Sequence, residues 1–233
     1  MSIKAISFDL DETLWHTAKT IDHAERTFHD WLTQHLPELA AVPRAQLFET
    51  RRLLLQNNPE LAHHISELRR RVMTHLLEQQ GHKRLQARRH SHRAFDIFLR
   101  ARQHVFPFEG VDTALSELRG HYTLGVITNG NANVFLTPLG RYFDFAIAAE
   151  KVAQNKPGPL PFQAALKHAN CQPEQMLHIG DHPDHDIAGA RQLGIPVLWY
   201  NPNHEDWSGA DDSPPQFSHF DELSAIVRTF DTP

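Results

Sequence analysis

The sequence is poor in cysteine and has no long apolar run, and both absences limit what the protein can be. Cys171 is the only cysteine among 233 residues, so the chain cannot form an internal disulfide, and a reducing cytoplasm is the expected setting. No apolar run approaches the roughly 20 residues of a membrane-spanning helix, and the N-terminal residues do not predict a signal peptide. Because Cys171 follows a helix-like stretch without a strand and turn around it, we interpret it as structural rather than nucleophilic.

The charge of the chain is unevenly distributed around a formal total of -5. Residues 16–106 carry 15 Lys and Arg against 9 Asp and Glu, whereas the rest of the chain carries 8 against 19. The acidic part is the better candidate for holding a divalent cation. A nucleic-acid surface is not predicted, because the whole chain is acidic and lacks the interleaved aromatic residues that stack on bases.

Residues 16–106 predict a different kind of structure from the remainder. Their apolar residues recur at helical spacing between Pro and Gly interruptions, which predicts about four helices and no strand. Residues 1–15 and 107–233 instead alternate short strands with helices, which predicts a parallel sheet with helices on both faces. We therefore expect an α/β core domain interrupted after its first strand by an inserted all-helical domain.

Within the core, the apolar runs and turn residues indicate individual elements. Strands are predicted at residues 3–8, 124–128, 145–148, 176–179 and 196–200. Helices are predicted over 112–118 with Asp112 as the N-cap, from about Ala132, over 160–169, over 186–193 and over 221–230. Residues 201–215 are rich in Pro, Asn and Asp and predict a loop.

Polar residues stand at the ends of three predicted strands. Asp9 follows the first strand, Thr128 ends the second, and Asp181 follows the strand at 176–179. Ligands of parallel α/β sheets bind beyond the carboxyl ends of the strands, so we expect these three side chains to share one site.

The pair Asp9 and Asp11 indicates phosphoryl chemistry. Two carboxylates so close repel each other by on the order of several kcal/mol at protein dielectrics, and a hard cation such as Mg²⁺ offsets this repulsion. Asp9 can attack phosphorus to form an aspartyl-phosphate, while Asp11 can protonate the leaving alkoxide and later deprotonate water. The alternative is a plain turn whose acids cap a helix or face solvent.

Further residues strengthen the phosphoryl interpretation. The Thr128 hydroxyl and the backbone N–H groups of Asn129 and Gly130 offer donors to phosphate oxygens. Lys156 can neutralise both the nucleophile and the phosphate, although a lysine in this position could also lie on a surface loop. Asp181, with Asp186 five residues later, opens a helix whose positive N-terminal end would face the same crevice.

Taken in order, these segments resemble the four motifs of the haloacid dehalogenase superfamily of phosphatases. The matching segments are Asp9-Leu10-Asp11-Glu12-Thr13-Leu14, Thr128-Asn129-Gly130, Lys156-Pro157 and Gly180-Asp181 with Asp186. The match spans the predicted core, and the helical insertion stands where that family has its type 1 cap. The resemblance implies a Rossmann-like core and an aspartyl-phosphate intermediate.

The resemblance also implies roles for individual residues. Mg²⁺ would be held by Asp9, the main-chain carbonyl of Asp11 and Asp181, while Thr128 and Lys156 would bind the transferred phosphoryl group. Asp186 matches the last acid of the fourth motif, which reaches the metal directly or through water and hydrogen bonds. The dehalogenase branch of the family works without metal and lacks the second acid of the first motif, so Asp11 argues against that branch.

Departures from the usual pattern are modest. Glu12 stands where Asp or Gly is frequent, and His182 and His185 fall within the fourth motif. Because the chain contains 18 histidines, we interpret these two as solvent-facing or as supporting neighbours rather than metal ligands.

The substrate is less well indicated than the reaction. Most of the paired arginines in residues 16–106 are interpreted as solvated helix faces, and type 1 caps usually read substrate near the positions of Trp15-His16-Thr17. The motifs resemble the branch of phosphatases acting on nucleotide, sugar or flavin-precursor phosphates, so the expected partner is a small phosphorylated metabolite, with the protein as monomer or homodimer. A phosphomutase and a non-catalytic phosphate-binding regulatory module remain the alternatives.

Overall fold

Two units make up the computed structural model, which describes residues 2–209 and 211–231. The core unit comprises Met1–Thr17 and Val105–Pro233, and the helical unit comprises Ala18–His104. Within the described residues, no helix combines the length and the apolar character needed to cross a bilayer.

The helical unit packs around an apolar interior. Its elements are α1 (Thr17–His35), α2 (Pro37–Ala40), α3 (Arg44–Asn57), a 3₁₀ turn (Pro59–His63), α4 (Ile65–Gln79) and α5 (Arg84–Ala101). Leu68 and Leu76 of α4 are buried with Phe95 and Phe98 of α5 in one apolar cluster, as the 3.6-residue spacing of these residues requires.

Several arginines of the helical unit are engaged in contacts within it. The Arg69 guanidinium lies 4.0 Å from the centre of the Phe98 ring and also pairs with Glu25. Arg71 pairs with Glu67 at 2.7 Å along the same helix. These contacts place part of the positive charge of the helical unit on partly exposed helix faces.

The core unit is built on one parallel sheet, which confirms the α/β fold class. Its strands are β1 (Ala5–Phe8), β2 (Thr123–Thr128), β3 (Phe145–Ala148), β4 (Met176–Gly180), β5 (Val197–Tyr200) and β6 (Gln216–Phe217). They lie in the order β3-β2-β1-β4-β5-β6, and every neighbouring pair is parallel. β1, β4 and β5 are buried along their whole length, so they form the centre of the sheet rather than a solvent-exposed surface.

Helices cover both faces of this sheet. They are α6 (Val111–Leu118), α7 (Ala149–Val152), α8 (Pro159–Ala169), α9 (Gly189–Arg191) and α10 (Leu223–Thr229). One apolar cluster joins Ile6 of β1 to Leu115 of α6 and Val227 of α10. A second cluster joins Ile127 of β2 to Phe162 of α8. Side chains of successive strand residues therefore pack against opposite faces of the sheet.

The start of α6 differs from the prediction. The helix begins at Val111, and Gly110 occupies the N-cap position with φ of 81°, so Asp112 is not the N-cap but lies in the first turn. A Cβ on Gly110 would lie 3.1 Å from the Cβ of Phe220, so both the backbone conformation and the packing favour glycine there. The Asp112 carboxylate instead pairs with Arg141 at 2.6 Å.

Two other predicted elements take a different form. The helix expected from Ala132 is replaced by 3₁₀ turns at Val134–Leu136 and Pro138–Tyr142, because Pro138 cannot donate the backbone bond that would continue a helix. The helix expected from Asp186 begins earlier, as a π-helical turn over Pro183–Ala188. The loop predicted at 201–215 is followed by β6, a strand too short for its residue pattern to predict.

Candidate active site

The strand order brings the predicted site residues to one edge of the sheet. β1 lies between β2 and β4, so Asp9, Thr128 and Asp181 all stand at the carboxyl ends of adjacent strands. The backbone N–H of Asp9 donates to the carbonyl of Ile179 at 2.9 Å, which fixes the first residue beyond β1 against β4. These residues, with Lys156 and Asp186, line a pocket of about 150 Å³.

Lys156 is the buried cation of this pocket. Its side chain is buried, and its Nζ donates to Asp9 Oδ1 at 2.6 Å, to Asp186 Oδ1 at 2.5 Å and to the Ile127 carbonyl at 2.7 Å. Burial opposes the charge of Lys156, but the neighbouring carboxylates of Asp186 and Asp9 outweigh it and raise the lysine pKa above its ordinary value. The ammonium therefore stays charged between two acids.

Asn129 holds the backbone of Lys156 in place. Its Oδ1 accepts from the Lys156 N–H at 2.7 Å, and its Nδ2 donates to the Lys156 carbonyl at 3.0 Å. The sequence predicted a phosphate contact from the backbone N–H of Asn129 and did not predict this task of its side chain. These two hydrogen bonds fix the backbone of Lys156 against the loop that follows β2.

Thr128 and Gly130 contact each other in the structure. The Gly130 N–H donates to Thr128 Oγ1 at 2.9 Å, so this amide, predicted as a phosphate donor, is engaged within the loop. A Cβ at Gly130 would lie 2.6 Å from Asp11 Oδ2, which means that only glycine allows the Asp11 carboxylate to approach this loop.

Asp11 is oriented separately from Asp9. Its Oδ1 accepts from Trp15 Nε1 at 2.8 Å and from Thr17 Oγ1 at 3.2 Å. The two acids of the first motif therefore have different surroundings, as a division of labour between nucleophile and proton donor requires.

Asp9, Asp181 and Asp186 form a carboxylate cluster. One oxygen of each lies within 4.8 Å of the others. Burial, together with repulsion from Asp186 and Asp181, raises the pKa of Asp9 well above its ordinary value despite Lys156. Burial and the charge of Asp186 also raise the pKa of Asp181 to about 6.

Asp186 shows the opposite behaviour within the same cluster. Burial opposes its ionisation, but Lys156 and His178 outweigh that effect and hold its pKa below the usual range. The π-helical turn folds Asp186 back so that its Oδ2 accepts from the His182 N–H at 3.0 Å. Asp186 is thus the acid of the cluster whose ionised form these contacts favour.

The residues present fit a divalent cation. When all three carboxylates are ionised, they carry two more negative charges than Lys156 offsets, and a divalent cation matches that difference. Their oxygens are the hard ligands that Mg²⁺ prefers. Among the residues that the structure describes, this metal-capable cluster contains only carboxylates.

The raised pKa of Asp181 gives a prediction for stability. In EDTA at about pH 7.5, Asp181→Asn is expected to raise the free energy of unfolding by on the order of 2 kcal/mol. The folded pKa of about 6 exceeds the ordinary value of 3.8, so the folded state holds the proton more tightly than the unfolded state. Stability is therefore lost as pH rises from about 4 to 6, and asparagine avoids this loss.

Urea unfolding at about pH 4 and about pH 7.5 measures this effect, because the gain is expected only at the higher pH. Asp184→Asn is the matched control, since Asp184 is exposed three residues away. Equal stability of the two variants at the higher pH would contradict the account.

His178 belongs to the site but was missed by the sequence analysis. It lies in β4, fully buried, with Nδ1 2.9 Å from Ser7 Oγ and Nε2 3.3 Å from Asp186 Oδ1. Because burial lowers its pKa, the ring is neutral, and a carboxylate only accepts, so Nε2 carries the hydrogen and Nδ1 accepts from Ser7. The available signal was a polar residue inside an otherwise apolar strand, two residues before Gly180.

Removal of the His178 ring tests its positioning role. For the Mg²⁺-dependent hydrolysis expected from the sequence, His178→Ala should lower kcat/KM about ten- to a hundredfold and raise the Mg²⁺ concentration needed for half-maximal activity, because Asp186 loses a fixed donor. His178→Gln keeps an amide donor and is expected to recover part of the loss. His168→Ala, at an exposed position of α8, is the control. If Gln and Ala behave alike, the ring serves packing only.

His182 and His185 stack on each other beside the carboxylate cluster. Their ring centres are 3.9 Å apart, and His182 Nδ1 accepts from the backbone N–H groups of Asp184 and His185 at 3.2 and 3.3 Å. His182 therefore caps the π-helical turn.

Cys171, half-buried against the apolar cluster on one sheet face, has a pKa raised by burial, which suits a structural thiol.

Comparisons with known proteins add a family context to this geometry. A model of the haloacid dehalogenase-like hydrolase family matches residues 3–194. The 5-amino-6-(5-phospho-D-ribitylamino)uracil phosphatase YigB of Escherichia coli is 28% identical over 204 residues, which cover 88% of this chain and 86% of that protein. The glyceraldehyde 3-phosphate phosphatase of Pyrococcus abyssi is 28% identical over 205 residues, with coverage of 85% and 81%.

A solved structure is more similar still. The crystal structure of a protein described as a 2-haloacid dehalogenase from Pseudomonas syringae superposes with a TM-score of 0.94 at 41% identity. The similarity covers 98% of this chain and 99% of that one. The similar proteins therefore include names from both hydrolytic chemistries, phosphate ester cleavage and dehalogenation.

Proposed function

The chain belongs to the haloacid dehalogenase-like hydrolases, and we propose that within this family it is a Mg²⁺-dependent phosphatase of small phosphorylated metabolites. The observation that carries the proposal is that a second acid, Asp11, accompanies the cluster of Asp9, Asp181 and Asp186 and is held by its own hydrogen bond. A second acid held apart from the nucleophile suits proton transfer to a leaving alkoxide, and a cluster with excess negative charge suits a divalent cation.

The chain's own residues provide each step of the proposed reaction. Asp9 attacks phosphorus and displaces the leaving oxygen, which forms an aspartyl-phosphate. Asp11, oriented by Trp15 and Thr17, gives a proton to the leaving oxygen. Asp11 then takes a proton from water, the water oxygen attacks phosphorus, and phosphate departs with restoration of the Asp9 carboxylate.

Lys156 and Thr128 would hold the phosphoryl oxygens while Asp9 carries the group. The Lys156 ammonium is already in place 2.6 Å from Asp9, so its charge needs no rearrangement to act there. A Mg²⁺ ion held by Asp9, Asp181, Asp186 and the Asp11 carbonyl would supply further positive charge for the transferring group. The same proposal assigns residues 1–15 and 107–233 to the catalytic core and residues 16–106 to a helical cap domain.

Dehalogenation of a 2-haloacid is the second candidate, favoured by the similarity to the Pseudomonas syringae structure. It would use Asp9 as a nucleophile on carbon and would need neither a proton donor for the leaving halide nor a cation. The raised pKa of Asp9 opposes this use, because without a metal ion burial and the neighbouring carboxylates disfavour the ionised nucleophile even beside Lys156. Asp11 would also have no task.

Parallel assays separate the two candidates. Phosphate release is measured from a panel of nucleotide, sugar and flavin-precursor phosphates, and chloride release from 2-chloropropionate, each with Mg²⁺ and with EDTA. The proposal expects phosphate release that EDTA abolishes and no chloride release. Chloride release that survives EDTA, without phosphate release, would favour the dehalogenase over the phosphatase.

The same assays address the other two alternatives. Phosphorus NMR of the products distinguishes hydrolysis from a mutase reaction, which would give isomers. Retained phosphate binding without turnover would indicate a regulatory module.

A further inference from the structure

The pocket around Asp9 is too small to hold a whole metabolite. Its volume of about 150 Å³ suits a phosphoryl group, whereas pockets for small-molecule ligands usually enclose about 300–1,000 Å³. A second cavity of about 1020 Å³ lies beside it in the core unit. Asp181 lines both cavities, so the larger one adjoins the site of chemistry.

This larger cavity, named here the Tyr200 groove, has a one-sided charge. Its lining includes the exposed carboxylates Glu12, Glu109, Glu205 and Asp221. Among the described residues that line it there is no lysine and no arginine. Each exposed carboxylate is screened by solvent, but four of one sign around one groove produce a field that repels a second anion.

Tyr200 places a hydrogen-bond donor in the same groove. Its side chain is 4% exposed, and its ring packs on Phe108, Phe217 and Phe220 at centre distances of 5.5, 5.1 and 5.0 Å. Within residues 2–209 and 211–231, its hydroxyl makes no hydrogen bond to another residue. Burial, with the charges of Asp181 and Glu12, raises its pKa, so the hydroxyl keeps its proton. Tyr200 lines this groove together with Asp181, which also lines the pocket around Asp9.

We propose that the Tyr200 groove holds the leaving group of the phosphomonoester and selects alcohols that bear hydroxyl or amine groups over alcohols that bear a second anion. The Tyr200 hydroxyl donates to an oxygen of the leaving group, and the carboxylates accept from its hydroxyl or ammonium hydrogens. The aromatic residues packed on Tyr200 fix its ring, so the position of the phenolic oxygen is set before the substrate arrives. This inference rests on the proposed phosphatase function.

A matched substrate series tests the selection. 2-Hydroxyethyl phosphate, 2-aminoethyl phosphate and phosphoglycolate share a two-carbon skeleton and differ in the far group, which is neutral, cationic or anionic. With Mg²⁺, kcat/KM for the first two is expected to exceed that for phosphoglycolate by about tenfold or more, because the groove's field opposes the carboxylate. Equal or better turnover of phosphoglycolate overturns the proposal.

Variants connect the selection with the groove. The double variant Glu109→Gln with Glu205→Gln is expected to reduce the preference over phosphoglycolate at least about threefold, because it removes two of the repelling charges. Glu78→Gln with Glu174→Gln makes the same change in net charge at exposed positions outside the groove and is expected to leave the preference unchanged. The same shift in both double variants would assign the preference to overall charge and overturn the proposal.

Tyr200→Phe tests the hydroxyl alone. It is expected to raise KM for 2-hydroxyethyl phosphate about fivefold with little change in kcat, since a single neutral hydrogen bond in substrate binding is lost. An unchanged KM would remove Tyr200 from the recognition of the leaving group.

The wild-type protein separates failure of the groove proposal from failure of the phosphatase function. If it releases phosphate from none of the three compounds or the wider metabolite panel, the phosphatase function itself fails. If it releases phosphate without the charge preference, only the groove proposal fails.

Discussion

Asp9→Asn is expected to lower the rate of phosphate release at least about a thousandfold while the protein stays folded, because the amide cannot act as the nucleophile. Asparagine keeps the size of the side chain and an oxygen that can accept from Lys156 Nζ. It also removes a buried carboxylate whose ionisation is disfavoured. The loss should therefore fall on catalysis and not on folding. Steady-state phosphate release, with circular dichroism and thermal unfolding of the same samples, measures both.

Asp30→Asn provides the matched control for this experiment. Asp30 is exposed on α1, and the same change of charge there is expected to leave activity within about twofold of the wild type. A folded Asp9→Asn protein that keeps phosphate release within about tenfold of the wild type would mean that another group attacks phosphorus.

Lys156→Met is expected to lower the free energy of unfolding by about 3–5 kcal/mol, the largest effect on stability that the site predicts. The lysine ammonium donates to Asp9 and Asp186, and all three side chains are buried. Methionine preserves most of the volume but leaves two carboxylates without their cation. Urea unfolding in EDTA measures the loss without a metal ion to offset it.

Two further variants show whether the lost charge is the cause. Lys151→Met, at an exposed position five residues earlier, is expected to change the free energy of unfolding by less than about 0.5 kcal/mol. Adding Asp186→Asn to Lys156→Met is expected to recover part of the lost stability, because one uncompensated charge is removed. If the double variant is less stable than Lys156→Met by the full cost of Asp186→Asn alone, the lysine and the acid act independently.

The sequence predicted the fold because the apolar runs that form the central strands were clear. The family resemblance and the parallel α/β fold are both confirmed. Asp9, Thr128 and Asp181 each follow or end a buried apolar run, and parallel strands carry such positions to one edge. The roles assigned to these residues stay predictions, although their proximity in the structure is what those roles require.

Other features depend on contacts that no local pattern encodes. His178 is one of 18 histidines, and only the pairing of β1 with β4 places it between Ser7 and Asp186. The π-helical turn that turns Asp186 towards Lys156 depends on His182, whose imidazole accepts two backbone hydrogens. Helix propensity alone predicted an ordinary helix there, because it does not include side-chain caps.

The Tyr200 groove was likewise beyond the sequence pattern. Tyr200 ends a buried strand and by its residue pattern belongs to the core. Its ring does pack there, against Phe217 and Phe220. Only the structure reveals that the hydroxyl has no protein partner in the described chain and that carboxylates from distant segments line the same cavity.

The central claim is that Asp9 carries the phosphoryl group during turnover, and chemical trapping tests it most directly. Enzyme quenched with acid during turnover of a phosphomonoester with Mg²⁺ is reduced with borohydride, which converts an aspartyl-phosphate to homoserine, and is then mapped by mass spectrometry. The account predicts homoserine at position 9 in these samples, and aspartate at that position when substrate is omitted. Homoserine at another aspartate, or at no position while phosphate is being released, would contradict it.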